Sequence, residues 1–170
     1  MKKIIVNEDN MTDNDIKEVE TRVKAILIND QNEILIGYSY ETYQFIGGHV
    51  ENGEDLVKSL NREIVEEAGI DLHLKDIEPI ALYTRYKEND SKKLLIYYYV
   101  IHTNAKPNRD NTNYTKEEVI GNFDLRYVKV SDLKQVIEDN LEYNKGKELS
   151  NDISREILLL LEAVGDLSKY

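Results

Sequence analysis

The apolar residues of the chain recur with two periods, and the shorter one predicts strands. Runs of alternating or β-branched apolar residues, bounded by turn-forming residues, predict six strands: Lys2–Val6, Arg22–Ile28, Glu33–Tyr38, Ile77–Tyr86, Lys93–His102 and Phe123–Val130. A turn at 29–32 joins the second strand to the third, and Gln44–His49 leads into the first helical pattern. The polar stretch Asn7–Glu18 has no pattern that assigns its structure.

Apolar residues spaced three and four apart predict helices at Glu54–Ala68, Asp132–Leu141 and Ile153–Val164. Asn52 or Gly53 suits the N-cap of the first helix, Gly69 its left-handed C-terminal cap, and Ser131 the N-cap of the second. The last helix has the apolar spacing of a helix that packs on its own domain. Strands on both sides of a central helix predict an α/β sandwich with a mixed sheet.

Composition agrees with one compact domain over residues 1–170. The chain has 170 residues, of which 41% are apolar, and no cysteine, so it has enough apolar residues for a core and forms no disulfide. No apolar stretch of signal-peptide length opens the sequence, and the longest apolar run, Ile157–Leu161, is far too short to span a bilayer. We therefore expect a cytoplasmic protein without a membrane segment.

The net charge of −11 argues against a general nucleic-acid binder, because affinity for a polyphosphate backbone needs a basic stripe. It does not argue against a small anionic substrate. Metal ions bound at carboxylates can supply the attraction that the overall charge lacks.

Negative charge collects at the end of the first helix, where the helix dipole repels it. Glu63, Glu66 and Glu67 are three and four residues apart, so they share one edge of the helix. Each like-charge pair costs roughly 0.2–0.5 kcal/mol, and the dipole adds roughly 0.3–1 kcal/mol per exposed anion. Coordination of Mg²⁺ or Mn²⁺ by these oxygens would offset that cost. The alternative is an ordinary solvated acidic edge.

The stretch GHVENGEDLVKSLNREIVEEAGI, residues 48–70, resembles the Nudix box. The matching positions are Gly48, Glu54, Arg62, Glu63, Ile64, Glu66, Glu67, Gly69 and Ile70. At residue usages of roughly 5–7%, such agreement arises by chance on the order of once in 10⁹ windows. The order of elements is similar to the Nudix pattern over about 20–142. The resemblance implies a Nudix-like α/β/α sandwich with a mixed central sheet.

The resemblance also implies a metal site. By motif position, Glu66 and Glu67 are the principal metal carboxylates, and Glu63 is a further ligand or the catalytic base. The carbonyl of Gly47 often joins them in the family. His49 is expected to pack or to form hydrogen bonds, because Mg²⁺ prefers oxygen ligands.

The same motif pairs Arg62 with Glu54. The two residues either orient the catalytic face or form a plain structural salt bridge. Glu117 and Glu118, at the end of the long polar connection 103–118, are alternative candidates for the base.

The implied activity is Mg²⁺-dependent hydrolysis of a nucleoside diphosphate linked to another group, by attack of water on phosphorus. Nudix-like domains also serve as non-catalytic ligand sensors, which typically lose the box carboxylates. All of them are present here, which favours an enzyme acting on phosphoanhydride bonds. An RNA-processing hydrolase is disfavoured by the acidic charge.

No signature of a subfamily identifies the substrate, and Ile46 stands where many family members have a proline. Arg22 and Arg85 are candidates for contacts with phosphates, and Tyr43 and Phe45 for stacking on a base. Tyr86 lies where some diadenosine polyphosphate hydrolases have a stacking tyrosine. Strand packing or surface exposure explains each of these residues equally well. The chain is expected to be a monomer or a homodimer.

Overall fold

Residues 1–170 are described by a computed structural model with one mixed seven-stranded sheet. The strands are β1 (Lys2–Val6), β2 (Glu18–Ile28), β3 (Glu33–Ser39), β4 (Thr42–Gln44), β5 (Ala81–Lys87), β6 (Lys92–His102) and β7 (Asp124–Lys129). The helices are α1 (Leu56–Ala68), α2 (Lys116–Ile120), α3 (Leu133–Tyr143) and α4 (Glu148–Val164). Strands and helices form the α/β fold that the sequence predicts.

The sheet combines parallel and antiparallel pairs in the order β1-β5-β6-β2-β3-β4, and β7 pairs with β3. β1 runs parallel to β5, and β2 runs parallel to β6 along its whole length. The remaining pairs are antiparallel. The mixed sheet is therefore confirmed.

Each face of the sheet carries its own hydrophobic core. One core includes Leu60, Ile64 and Ala68 of α1 together with Val23 and Ala25 of β2. The other core packs α3 and α4 against the opposite face. Its helical members include Leu133, Ile137, Ile157 and Leu160. Because β-strand side chains alternate between faces, β2 contributes to both cores.

The segment that follows β4 docks beside β2. β2 pairs with β3 over only two positions, which leaves most of its edge open for residues 46–50. The N–H of Val23 donates to Gly48 O at 3.0 Å, that of Ala25 to Ile46 O at 2.8 Å, and that of Val50 to Thr21 O at 2.9 Å. These bonds fix the entrance to α1 against the middle of the sheet.

Several predicted boundaries are wrong, for identifiable reasons. β2 starts at Glu18 rather than Arg22, because its polar first residues pair with β6. The predicted strand Ile77–Tyr86 begins only at Ala81, beyond Pro79, which has no N–H for a ladder. Within the unassigned stretch 7–18, Asp13–Asp15 form a 3₁₀ turn.

The predicted helices also differ at their ends. α1 begins two residues later than predicted and is capped by Asp55 instead of Asn52 or Gly53. α3 follows Asp132 without a side-chain cap, so Ser131 is not its N-cap. α4 begins at Glu148, five residues before the predicted Ile153, because the buried Ser150 faces Thr42 across a 2.7 Å hydrogen bond. None of the helices has both the length and the apolar character of a membrane-spanning segment.

Candidate active site

The box helix α1 has well-defined ends. A side-chain oxygen of Asp55 accepts a hydrogen bond from the N–H of Lys58 at 2.9 Å, which satisfies a free donor of the first turn. Gly69 ends the helix in the left-handed conformation with φ 67°, as the sequence predicts. A Cβ at Gly69 would lie 1.9 Å from Asn108 O, so the approach of this loop also requires glycine there.

Arg62 binds the carboxylates along the acidic edge of α1. Its Nε and Nη2 donate to the two oxygens of Glu54 at 3.2 and 3.0 Å, and Nη1 donates to Glu63 at 2.8 Å and Glu66 at 2.9 Å. Nη2 also donates to the carbonyl of His49 at 2.8 Å. The hydrogen bond to Arg62 lowers the pKa of Glu54. Arg62 therefore fixes the positions of three box carboxylates.

Two box carboxylates are buried. The exposed fraction is 8% for Glu63 and 5% for Glu67. Burial raises the pKa of Glu63, and it raises the pKa of Glu67 to about 8. The nearby charges of Glu118 and Glu63 raise the pKa of Glu67 further, whereas Lys24 and the N–H of Gly47 lower it. Burial therefore disfavours the ionised forms of Glu63 and Glu67, and a cation bound beside them would stabilise these forms.

Gly47 and Gly48 let these carboxylates reach the backbone. The N–H of Gly47 donates to Glu67 Oε2 at 2.9 Å, and Gly47 has a φ of 133°. A Cβ at Gly47 would lie 2.1 Å from Val23 O, and one at Gly48 would lie 2.6 Å from Glu63 Oε1. Gly47 therefore has no room for a side chain beside the backbone of β2, and Gly48 has none while Glu63 stays where it is.

The long polar connection lies against the C-terminal end of α1. The N–H groups of Asn108 and Asn113 donate to the carbonyls of Ala68 and Glu66 at 2.9 and 2.8 Å, which satisfies two free acceptors of the last turn. The same connection brings the charge of Glu118 close enough to affect Glu67.

Glu118 and Glu117 both belong to the short helix α2. Glu118 Oε2 accepts from the N–H of Thr115 at 2.6 Å in a capping box, whereas Glu117 is exposed. The sequence predicts a polar loop over both glutamates, whereas the structure has a helix there. The Thr-x-x-Glu pattern at Thr115 was the signal for this helix.

The predicted phosphate contacts Arg22 and Arg85 line one cavity of about 70 Å³ on the α4 face of the sheet. Arg22 is paired with Glu20, and Arg85 Nη1 lies 2.7 Å from Asp152. The other charged side chains of this cavity are Lys87, Lys92 and Glu156. The structure therefore brings the two arginines together, although each already has an acidic partner.

The three predicted aromatic contacts lie apart from this cavity. Phe45 is only 2% exposed, and its ring packs edge-on against Tyr98 in the core. The hydroxyl of Tyr43 accepts a hydrogen bond from Arg126 at 3.1 Å, and that of Tyr86 donates to Asp13 at 3.0 Å. Burial leaves Phe45 no ring face for a base.

Comparison with known families identifies this arrangement. A family model described as the NUDIX domain matches residues 19–148. The chain belongs to the Nudix family. The matched segment contains the box and all its carboxylates, and family membership supports a hydrolase that acts on phosphoanhydride bonds.

Solved Nudix structures share the fold. A NUDIX hydrolase from Nitrosomonas europaea is 13% identical with a TM-score of 0.55, and the alignment covers 89% of this chain and 95% of that one. A MutT NUDIX hydrolase from Burkholderia pseudomallei is 17% identical with a TM-score of 0.52, over 66% and 84%. The MutT protein from Methanosarcina mazei Go1 is 19% identical with a TM-score of 0.51, over 68% and 80%. No curated relative matches the chain.

Nudix hydrolases generally use divalent metals, and the box of this chain has a donor set that fits a hard cation. All the candidate ligands are oxygens, and the two buried carboxylates, Glu63 and Glu67, are disfavoured as anions. In the structure no three acidic or histidine side chains converge on one point. Arg62 contacts Glu63 and Glu66 instead, so metal coordination by all three glutamates requires their side chains to rearrange.

Sequence reasoning gave no role to Lys24, which lies at this site. Lys24 is 9% exposed, and its Nζ donates to the carbonyls of Phe45 at 3.0 Å and Gly47 at 2.7 Å. Its position in β2, two residues after Arg22, resembles that of an ordinary surface lysine. The docking of residues 46–50 beside β2 supplies its hydrogen-bond acceptors, and α4 brings the charge of Glu156 near it.

Proposed function

We propose that the chain is a Mg²⁺-dependent hydrolase of nucleoside diphosphate derivatives, with Mn²⁺ as a possible substitute. The observation that carries the proposal is a complete Nudix box in which two carboxylates, Glu63 and Glu67, are buried. Burying such anions is costly unless a positive charge compensates them. A divalent cation provides that compensation and is the cofactor that phosphoanhydride hydrolysis needs.

Glu63, Glu66 and Glu67 would hold the metal, with the carbonyl of Gly47 as a further ligand. When bound, Mg²⁺ would neutralise the phosphate oxygens and lower the pKa of a water molecule. Arg62 donates to the carbonyl of His49 and pairs with Glu54, and these contacts fix the acidic edge of α1 against the segment that precedes the helix.

A carboxylate oxygen of Glu63 would accept the proton of the attacking water. We favour Glu63 over Glu118 because Glu63 is buried in the box beside the other proposed metal ligands, whereas Glu118 lies outside the box and caps α2. Glu117 is exposed and makes no contact with the box that supports a catalytic role.

Arg22 and Arg85 would bind the substrate on the α4 side of β2. Both guanidinium groups lie in one cavity beside Glu156, and an anionic group of the substrate could replace their acidic partners. Tyr43 and Tyr86 are weaker candidates because each hydroxyl already has a protein partner.

The chain is further proposed to form one Nudix domain over residues 1–170, since α4 packs on the same sheet as α1. A small nucleotide-type substrate fits the net charge of −11 better than a nucleic acid does. A cytoplasmic location and a monomeric or homodimeric state remain predictions. A ligand-sensing role is disfavoured because every box carboxylate is retained.

Product release from a substrate panel tests the proposal. The panel contains ADP-ribose, dinucleoside polyphosphates, nucleotide sugars and oxidised nucleoside triphosphates, each with and without Mg²⁺. We expect turnover of one class that requires Mg²⁺ and is abolished by Glu66→Gln or Glu67→Gln. Glu162→Gln, on the exposed side of α4, is the matched control. Turnover that survives both box substitutions would overturn the mechanism, and tight binding without turnover would support a sensor.

A further inference from the structure

The buried side chain of Lys24 binds two backbone carbonyls in the segment that leads into the box. The ammonium group donates to Phe45 O and Gly47 O, the two carbonyls that flank Ile46. No carboxylate lies within salt-bridge distance of Nζ, yet the charges of Glu67, Glu156 and Glu63 all act on it. A lysine buried in this way needs a strong local reason.

Both backbone groups of Gly47, the N–H and the carbonyl, bind a charged side chain. Its N–H binds the carboxylate of Glu67, and its carbonyl binds the ammonium of Lys24. The glycine thus connects an anion and a cation that do not touch each other. Lys24 alternates with Val23 and Ala25 of the α1-side core, so its side chain lies on the α4 side of β2 and reaches Gly47 from there, whereas Arg62 contacts Glu63 and Glu66 along α1.

We propose that Lys24 is a built-in cation that competes with the catalytic metal for the carbonyl of Gly47. In the metal-free protein the ammonium holds this carbonyl, and its charge favours the ionised form of Glu67 against the cost of burial. A carbonyl oxygen has two lone pairs, but a metal ion that shared Gly47 O with the ammonium would lie close to a like charge, so metal binding at this oxygen favours departure of Lys24. Lys24 is therefore a positioning residue that sets the affinity for the metal. The inference rests on the proposed function, because it needs the metal at the box.

The position of Lys24 suits this role better than a purely structural one. Lys24 makes no salt bridge, unlike Arg85, which is paired with Asp152 at 2.7 Å. Lys24 instead binds carbonyl oxygens, which are hard ligands that Mg²⁺ also accepts. Its charge lies close enough to the box for repulsion of a divalent ion to be significant.

Isothermal titration of Mn²⁺ into the substrate-free protein tests the competition. Lys24→Met removes the charge but keeps a flexible side chain of similar length, and we expect it to bind Mn²⁺ about tenfold more tightly than the unmodified protein. Lys58→Met is the matched control, since it makes the same change in net charge on the exposed side of α1. It should leave the affinity unchanged. An unchanged or weaker affinity for Lys24→Met would overturn the inference.

A measurement on the unmodified protein keeps the test valid if Lys24→Met does not fold. With ¹⁵N-labelled lysine, the buried ammonium of Lys24 should give the slowly exchanging side-chain resonance. We expect this resonance to shift on saturation with Mg²⁺, because the ammonium loses its partner Gly47 O. A resonance that stays unchanged at saturation would contradict the competition.

The titration also separates this inference from the proposed function. If Mn²⁺ binds and Glu66→Gln weakens the binding, the proposed metal site at the box is supported. The Mn²⁺ affinity of Lys24→Met then tests the competition for Gly47 O independently of the proposed function. If Mn²⁺ does not bind, or binds independently of Glu66, the proposed function fails, and the inference about Lys24 fails with it.

Discussion

The two faces of the sheet each carry a cluster of charged side chains, and their balance differs. At the box helix, Arg62 is the one cation in contact with Glu54, Glu63 and Glu66, and Glu67 is buried beside them. On the α4 face, cations and anions alternate. Its acidic members are Glu20, Asp152 and Glu156, and its basic members are Arg22, Arg85, Lys87 and Lys92.

The box cluster has more carboxylates than cations, whereas the basic residues of the α4-face cluster outnumber its acidic ones. Burial raises the pKa of Glu156 in the α4-face cluster as well, so the two clusters differ in their balance of charges and not in burial alone. The box cluster has more anions than cations and raises the pKa of its buried glutamates. The charge balance therefore favours the proposed divalent ion at the box cluster and an anionic group at the α4-face cluster.

The largest effect is expected from the proposed catalytic base. Glu63→Gln should lower kcat by about 10²–10⁴, the usual contribution of a positioned general base. Glu118→Gln, which changes a carboxylate outside the box, should lower kcat less than about tenfold. Steady-state kinetics on the substrate found in the panel measures both. A larger loss for Glu118→Gln would transfer the role of base to α2.

Loss of the cation from each cluster should destabilise the protein unequally. Arg62→Met leaves Glu54, Glu63 and Glu66 without their partner and should cost about 3 kcal/mol of unfolding free energy. Arg85→Met leaves Asp152 near other cations of the cavity and should cost about 1 kcal/mol. Urea unfolding measures both values. Equal costs would mean that the two clusters are equally compensated.

The smallest effect concerns the start of the box helix. Asp55→Ala should reduce stability by about 1 kcal/mol, because the N–H of Lys58 loses its capping oxygen. Asp55→Asn keeps an acceptor at this position and serves as the control. The N-terminus of α4, on the other face of the sheet, has no side-chain cap. The loss of a helix cap is therefore a test that only the box helix allows in this comparison of the two faces. Equal stability of Asp55→Ala and Asp55→Asn would show that the cap contributes nothing.

The sequence predicts the box helix well because its information is local. The apolar spacing of Leu60 and Ile64 gives the buried face, Gly69 gives the end, and the spacing of the glutamates gives the acidic edge. The N-cap was wrong because several residues before α1 have capping side chains or a glycine, and only the three-dimensional turn selects Asp55.

Features that depend on distant segments could not be predicted. Lys24 is buried because residues 46–50 fill the open edge of β2 and α4 packs on the same side of the sheet. The early part of α4 was not predicted because the residue that it buries, Ser150, is small and polar. Periodicity of apolar residues gives no signal for such a contact.

The most direct test of the central claim is the effect of Mg²⁺ on thermal unfolding of the substrate-free protein. At about 100 times its Kd, Mg²⁺ should stabilise the unmodified protein by about 2.7 kcal/mol. Glu66→Gln should lose most of this stabilisation at the same concentration, whereas Glu162→Gln should keep it. A stabilisation that is the same in all three proteins, or absent from the unmodified one, would contradict a divalent metal site at the box helix.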